Sequence, residues 1–131
     1  LTYLFQKMLN FVVHNFNEIS ITDNEIILKT ISFVRENYSK PEVSLAEAAD
    51  LCNVSQEYLS RLFQQETGTK FISFLQNFRV SMAKRMLLSD RQSKVYEIAE
   101  AVGYRDQKYF VSVFKKLCGM TPSEFRKEKE I

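Results

Sequence analysis

The fold of this chain is decided by two stretches of sequence, LAEAADLCNVSQEYLSRLFQQETG at residues 45–68 and VYEIAEAVGYRDQKYFVSVFKKLCG at residues 95–119. The second stretch repeats the first at an offset of 50 as far as the turn and 51 beyond it, because Arg105 is one extra residue there. Each copy predicts a short helix, a tight turn, a polar N-cap residue, a longer helix and a glycine that ends it. The pattern therefore predicts two copies of one helix-turn-helix unit.

Composition limits the class of fold. The 131 residues are 45% hydrophobic and 26% charged, which suits one domain or two very small ones and excludes disorder for most of the chain. Three glycines and two prolines are too few for the turns of a β-sandwich or barrel, so we predict an all-α fold. No apolar run approaches the roughly 18–20 residues that cross a bilayer. With two cysteines and no signal peptide, we expect reduced thiols and a cytoplasmic location.

The chain divides into four predicted segments. Residues 22–69 form the first helix-turn-helix unit, residues 70–89 a long linking helix and residues 90–131 the second unit. Residues 1–21 precede them as an amphipathic helix with an apolar stripe. This helix could pack on the rest of the chain, continue an upstream domain or pair with a second copy. Because the sequence opens at Leu1 within the stripe, we expect a linker, signalling or dimerisation helix at the end of a missing upstream domain.

Capping patterns predict where the helices begin. Thr22, Ser44 and Thr121 are each followed three residues later by glutamate, so each is expected to open a helix. The linking helix is predicted over residues 71–88, a length of about 27 Å. The side chains expected to face the core from the longer helices are Tyr58, Leu59, Leu62, Phe63 and Tyr109. The hydroxyl groups of the two tyrosines are expected to be hydrogen-bonded.

Two matched helix-turn-helix units joined by one rigid helix indicate DNA binding. One unit would be weak evidence, because helical hairpins are common in bundles that bind nothing. Residues 1–68 contain five Lys/Arg against nine Asp/Glu, whereas residues 69–131 contain thirteen against seven. The C-terminal part therefore suits a polyanion, or else forms a solvated basic surface without a partner. The alternative is a helical protein-interaction or dimerisation module without DNA binding, which Gln64, Gln65 and the low net charge of +2 keep open.

The sequence also carries a family resemblance. The stretches concerned are residues 44–49, 54–63, 97–99, 102–104, 114–116 and 119–122, with Arg79, Ala83, Leu87, Leu88, Tyr109, Phe110, Phe125 and Arg126. Through them, residues 27–127 resemble the DNA-binding domain of the AraC/XylS family of bacterial transcription regulators. The resemblance implies two helix-turn-helix subdomains bridged by a long helix, with the recognition helices of one monomer in successive major grooves. It also implies that Arg79 holds the two halves together.

The exposed faces of the two longer helices supply candidates for base contacts. Arg61 is the first choice, because a guanidinium group can bind guanine O6 and N7 together, and a surface ion pair with Glu57 is the competing explanation. Val111 suits a thymine methyl group, and Ser112 can bond to any base. The full set of base-contacting candidates is Gln56, Glu57, Ser60, Arg61, Gln64, Gln107, Lys108, Val111 and Ser112. Within this set Lys108 meets phosphate more readily than a base.

Lysines and helix starts supply candidates for phosphate contacts. A lysine binds phosphate without reading sequence, and the backbone N–H groups at the start of a helix suit a phosphate oxygen. A solvated lysine face and simple helix capping are the competing explanations. The phosphate-contacting candidates are Thr69, Lys70, Lys115, Lys116 and Thr121, of which the two threonines are expected to begin helices. Gln64 and Gln65 depart from the family, which usually has lysines there.

No enzymatic or metal chemistry is predicted. One histidine, His14, and two cysteines make neither a metal cluster nor a disulfide framework, and the sequence has no glycine-rich phosphate loop or nucleophile elbow. We therefore predict a protein that is not an enzyme and has no cofactor. The expected partners are double-stranded DNA, RNA polymerase, an upstream sensor or receiver domain, and a second copy through the N-terminal helix.

Overall fold

The computed structural model describes residues 21–129, which form seven helices and no strand. The helices are α1 (Ile21–Asn37), α2 (Leu45–Cys52), α3 (Gln56–Thr67), α4 (Phe71–Ser89), α5 (Val95–Ala101), α6 (Gln107–Cys118) and α7 (Pro122–Glu128). The all-α prediction is confirmed for this range. The amphipathic helix predicted at the N-terminus lies outside the described residues, except for Ile21, which belongs to α1. No helix within residues 21–129 is long and apolar enough to span a membrane.

Side-chain caps and left-handed glycines define both helix-turn-helix units. The residue before a helix accepts a hydrogen bond from a first-turn backbone N–H, at 2.9–3.2 Å, at Ser44, Ser55, Asp106 and Thr121. Gly68 ends α3 and Gly119 ends α6, with φ of 77° and 79°. A residue with a side chain rarely adopts this conformation, which explains why glycine ends the longer helix of each unit.

Two predicted helix starts are wrong. Thr22 is already helical, as is Ile21, so Thr22 does not precede the helix as an N-cap residue would. A capping box is a local preference, and the helical conformation of Ile21 and Thr22 overrides it here. At α4 the N-cap residue is Lys70 and not Thr69. The Thr69 N–H donates instead to the hydroxyl of Thr67 at 3.3 Å, so this segment turns before the helix begins.

The core consists of two buried clusters, one on each half of α4. The first cluster packs α1, α2 and α3 against the N-terminal half of α4. The second packs α5, α6 and α7 against its C-terminal half. Tyr38 and Met82 contact both clusters. The long helix is therefore shared by the two helix-turn-helix units and buries a different part of its surface in each.

Matched aromatic pairs show that the duplication includes one more helix than the sequence comparison found. Phe63 on α3 meets Phe74 on α4 edge to face, with ring centroids 5.4 Å apart. Phe114 on α6 meets Phe125 on α7 in the same manner at 5.8 Å. Both members of the pair are shifted by 51 residues. Thus α4 packs against α3 in the first unit as α7 packs against α6 in the second.

Two arginines hold loops by donating to main-chain carbonyl groups. Arg79 on α4 is buried and donates from Nε to the Tyr38 oxygen and from Nη2 to the Lys40 oxygen, both at 2.9 Å. Its guanidinium lies over the ring of Tyr104 in the second unit, 5.2 Å from the centroid. Arg79 therefore contacts both halves, in agreement with the role expected for it. Arg126 on α7 donates at 2.7–3.1 Å to three carbonyl oxygens around the end of α4, those of Leu87, Asp90 and Ser93.

The first turn of α7 carries a reciprocal capping box. Thr121 Oγ1 accepts from the Glu124 N–H at 3.2 Å, and the Glu124 carboxylate accepts from the Thr121 N–H at 2.8 Å. The backbone hydrogen bond from Thr121 holds the pKa of Glu124 below its usual value. A carboxylate whose pKa is lowered by folding contributes stability above its unfolded pKa of about 4.3, and loses it as the pH falls through the folded value.

A Glu124→Ala variant is expected to be less stable than the wild type at pH 7, and the difference should shrink as the pH falls below about 4. Thermal unfolding between pH 7 and pH 2 measures this. Glu128→Ala, at the other end of α7, is the matched control and should not reproduce this pH-dependent loss. A wild-type advantage over Glu124→Ala that stays constant from pH 7 to pH 2 would contradict the assignment of this carboxylate.

Candidate nucleic-acid interface

Helix α3 presents a polar face opposite its buried side. Leu59, Leu62 and Phe63 are buried against the first cluster. Because a helix turns 100° per residue, positions 56, 57, 60, 61 and 64 fall on one strip on the opposite side of the helix. All five base-contacting candidates of this helix are exposed on that strip, namely Gln56, Glu57, Ser60, Arg61 and Gln64.

Helix α6 has the same construction. Phe110, Val113 and Phe114 are buried in the second cluster. Val111 is half-buried and packs at the edge of that cluster, so only part of its side chain remains available to a thymine methyl group. The other candidates on this helix are all exposed, and these are Gln107, Lys108, Ser112, Lys115 and Lys116.

The two polar faces correspond position by position at the offset of 51. Gln56 corresponds to Gln107, and the remaining positions differ mainly in charge. Where α3 carries one glutamate and two glutamines, at positions 57, 64 and 65, α6 carries Lys108, Lys115 and Lys116. The charges of Glu57 and Arg61 cancel on α3, whereas α6 carries three lysines and no acidic residue within its own length. The faces therefore share their geometry and differ in their attraction for an anion.

Arg61 keeps its guanidinium group available. Within the described residues it forms no ion pair with Glu57, the competing explanation for this side chain. An exposed ion pair elsewhere in the structure joins Arg105 to Glu42, at 3.7 Å. Arg61 thus projects from the middle of the exposed strip of α3.

The prediction that two tyrosines lie in the core is wrong, although both hydroxyl groups are bonded as expected. Tyr58 is 37% exposed and Tyr109 is 51% exposed. The Tyr58 hydroxyl donates to Asp23 Oδ1 on α1 at 3.0 Å, and this bond raises the pKa of Tyr58. Gln76 on α4 donates to the Tyr109 hydroxyl at 3.2 Å. Tyr58 therefore links α3 to α1, and Tyr109 links α6 to α4.

The phosphate-contacting candidates fall into two groups. Lys70, Lys115 and Lys116 are exposed, the last two in the last turn of α6. Both threonines are half-buried, and their N–H groups already donate within the chain, from Thr69 to Thr67 and from Thr121 to Glu124. The lysines are therefore better placed than the threonines to meet an external anion.

Arg105 is a charged residue near this surface that was not among the sequence candidates. It lies in the turn between α5 and α6, directly before the α6 N-cap residue Asp106, with 76% of its side chain exposed. It also lines a cleft of about 450 Å³ between the two halves, together with Pro41 and Gln107. Its position as the extra residue of the second copy was the one signal that could have singled it out.

The chain is similar to a known family and to a solved structure. A family model described as a helix-turn-helix domain matches residues 48–128. The solved C-terminal domain of AraT, a response regulator from Geobacillus stearothermophilus, matches with a TM-score of 0.78 and 37% identity, covering 81% of this chain and 87% of that one.

Two curated relatives extend the comparison. The uncharacterized transcriptional regulatory protein YesN of Bacillus subtilis is 41% identical over 106 residues, which are 79% of this chain and 29% of the relative. The arabinose operon regulatory protein of Escherichia coli is 34% identical over 104 residues, which are 79% of this chain and 35% of the relative. The chain thus spans about a third of the length of these relatives. With its paired helix-turn-helix units, the chain belongs to the AraC/XylS family of helix-turn-helix DNA-binding domains.

Proposed function

We propose that this chain is the sequence-specific, double-stranded DNA-binding part of a bacterial transcription regulator, and that one copy inserts α3 and α6 into two successive major grooves. The observation that carries the proposal is the correspondence of the exposed positions on the two helices. Major grooves on one side of B-DNA recur every 34–36 Å or so. The 19 residues of α4 extend about 28 Å, which together with the offset of each unit suits that repeat.

In this proposal α3 and α6 make different kinds of contact with DNA. Lys108, Lys115 and Lys116 of α6 contact phosphate and supply most of the affinity, because lysine binds phosphate as a point charge. Arg61 of α3 reads a base, since its planar guanidinium matches the O6 and N7 atoms of guanine. The bound site is asymmetric and about two helical turns long, because the side chains of the two faces differ.

Selection of bound duplexes from a random pool, followed by a gel-shift titration in rising salt, tests the proposal. We expect one enriched site, and affinity that falls linearly on a log–log plot against salt concentration. A protein-interaction module without DNA binding would enrich no site. Enrichment of no sequence, or binding that is insensitive to salt, would reject the proposed function.

Replacing Arg61 with alanine is expected to relax the preference at one base pair and to cost about 1–3 kcal/mol of binding free energy. Competition between the selected site and its single-base variants measures both effects. Arg35→Ala is the matched control, because Arg35 is an exposed arginine on α1 and belongs to neither polar face. If Arg61→Ala leaves every base preference unchanged, Arg61 is not a reading residue.

The proposal extends to the rest of the protein. We propose an upstream sensor or receiver domain, since the matched AraT domain is the C-terminal part of a response regulator. Pairing of two copies through residues 1–21 is proposed from the apolar stripe of that segment. Contact with RNA polymerase, activation of transcription and a cytoplasmic location are proposed from the family. No catalytic activity is proposed, since the relatives named above are transcription regulators.

A further inference from the structure

The two helix-turn-helix units also touch beside α4, at a junction formed by Tyr38, Arg79, Gly103 and Tyr104. The Tyr38 carbonyl, which follows α1, accepts from Arg79. The same guanidinium lies over the ring of Tyr104, in the turn between α5 and α6. The ring of Tyr38 also packs on Phe78 of α4, with centroids 5.1 Å apart. The junction therefore joins the end of α1 in the first half to the turn of the second unit.

Gly103 makes this close approach possible. Its φ is +98°, and a Cβ atom there would lie 2.4 Å from the Tyr38 oxygen and 2.9 Å from both Cζ and Nε of Arg79. Real Cβ atoms do not come so close to other atoms, so any side chain at residue 103 would force the Tyr38 backbone or the Arg79 guanidinium to shift. Gly68 and Gly119 have the same left-handed conformation, but a Cβ atom at either would meet nothing within 4 Å. Of these three glycines, only Gly103 lies where contact between the two halves leaves no room for a side chain.

We propose that this junction fixes the relative placement of α3 and α6, and thereby sets the spacing between the two half-sites that the chain accepts on DNA. The inference rests on the proposed function. A single helix such as α4 can bend, whereas a second contact beside it removes that freedom. Each added base pair moves the next half-site by about 3.4 Å along the axis and about 35° around it. A braced pair of helices therefore fits one spacing, and an unbraced pair fits several.

The test compares the wild-type chain with Gly103→Ala on three duplexes, the selected site and versions with one base pair added or removed between the half-sites. We expect the wild type to bind the altered spacings about tenfold more weakly or worse. In Gly103→Ala this discrimination should fall to about threefold or less, with unchanged base preferences within each half-site. Gly119→Ala is the matched control. It carries comparable backbone strain without the contact, and should keep the wild-type discrimination.

A second variant covers the case in which Gly103→Ala does not fold. Arg79→Lys keeps the charge but cannot hold both carbonyl groups with a planar fork, and it should lose spacing discrimination in the same way. Full discrimination in Arg79→Lys or in folded Gly103→Ala would overturn the inference, as would a wild type that tolerates all three spacings. Each of these results leaves the proposed function standing. A wild type that binds no duplex would reject the proposed function and the inference with it.

Discussion

A Phe110→Ala variant is expected to lose about 3–5 kcal/mol of the free energy of unfolding. Phe110 is fully buried on the inner side of α6, and its ring lies 5.4 Å from that of Tyr104 and 5.9 Å from that of Phe114. Truncation leaves a cavity between α5 and α6 that neighbouring rings cannot fill without moving the helix. Small domains are stable by about 5–15 kcal/mol in total, so this one change removes a large part of the stability.

Urea unfolding followed by circular dichroism measures the loss. Ser112→Ala is the control on the same helix, because Ser112 is exposed and its removal should alter stability by about 0.5 kcal/mol or less. A loss below about 1 kcal/mol for Phe110→Ala would mean that this ring does not fill the core of the second unit.

Replacing Lys108, Lys115 and Lys116 together with glutamine is expected to have the largest effect on DNA binding. Each phosphate contact contributes about 0.9 to the slope of log affinity against log salt, so three lost contacts should make the slope about 2.7 less steep. The base preferences should stay the same, because phosphate contacts carry no sequence information. Affinity at moderate salt should fall for every duplex alike. Gel-shift titrations at several salt concentrations give both quantities.

Lys29→Gln is the control for this experiment, since Lys29 is an exposed lysine on α1. It should leave the salt slope unchanged. An unaltered slope in the triple variant would show that the charged face of α6 does not meet the DNA backbone. A changed base preference would assign at least one of these lysines to base reading instead of phosphate.

The sequence predicts most of the fold because the relevant signals are local. Ser55 and Asp106 cap helices through bonds to residues two or three positions away, and Gly68 and Gly119 end helices through their own φ. The exposed faces of α3 and α6 follow from helical periodicity, which places candidates such as Arg61 opposite the buried side. Local interactions of this kind need no knowledge of tertiary structure.

The errors on the two tyrosines, and the omission of Gly103, arise where tertiary contacts decide the outcome. Tyr58 and Tyr109 sit at the border between the buried and polar sides of their helices, where an aromatic ring predicts burial but a hydroxyl finds a partner at the surface. Nothing local indicates that Gly103 faces the Tyr38 carbonyl, because residues 38 and 103 are far apart in the chain. A glycine in a turn has an ordinary conformational explanation, which hides its role in packing the two halves.

The central claim is that one copy of the chain occupies two successive major grooves. Protection of guanine N7 atoms on the selected duplex, combined with native mass spectrometry of the complex, tests it directly. We expect one chain per duplex and two protected patches on the same side of the DNA, about 10–10.5 base pairs apart from centre to centre. One protected patch per bound chain, or two chains needed to protect two patches, would contradict the claim.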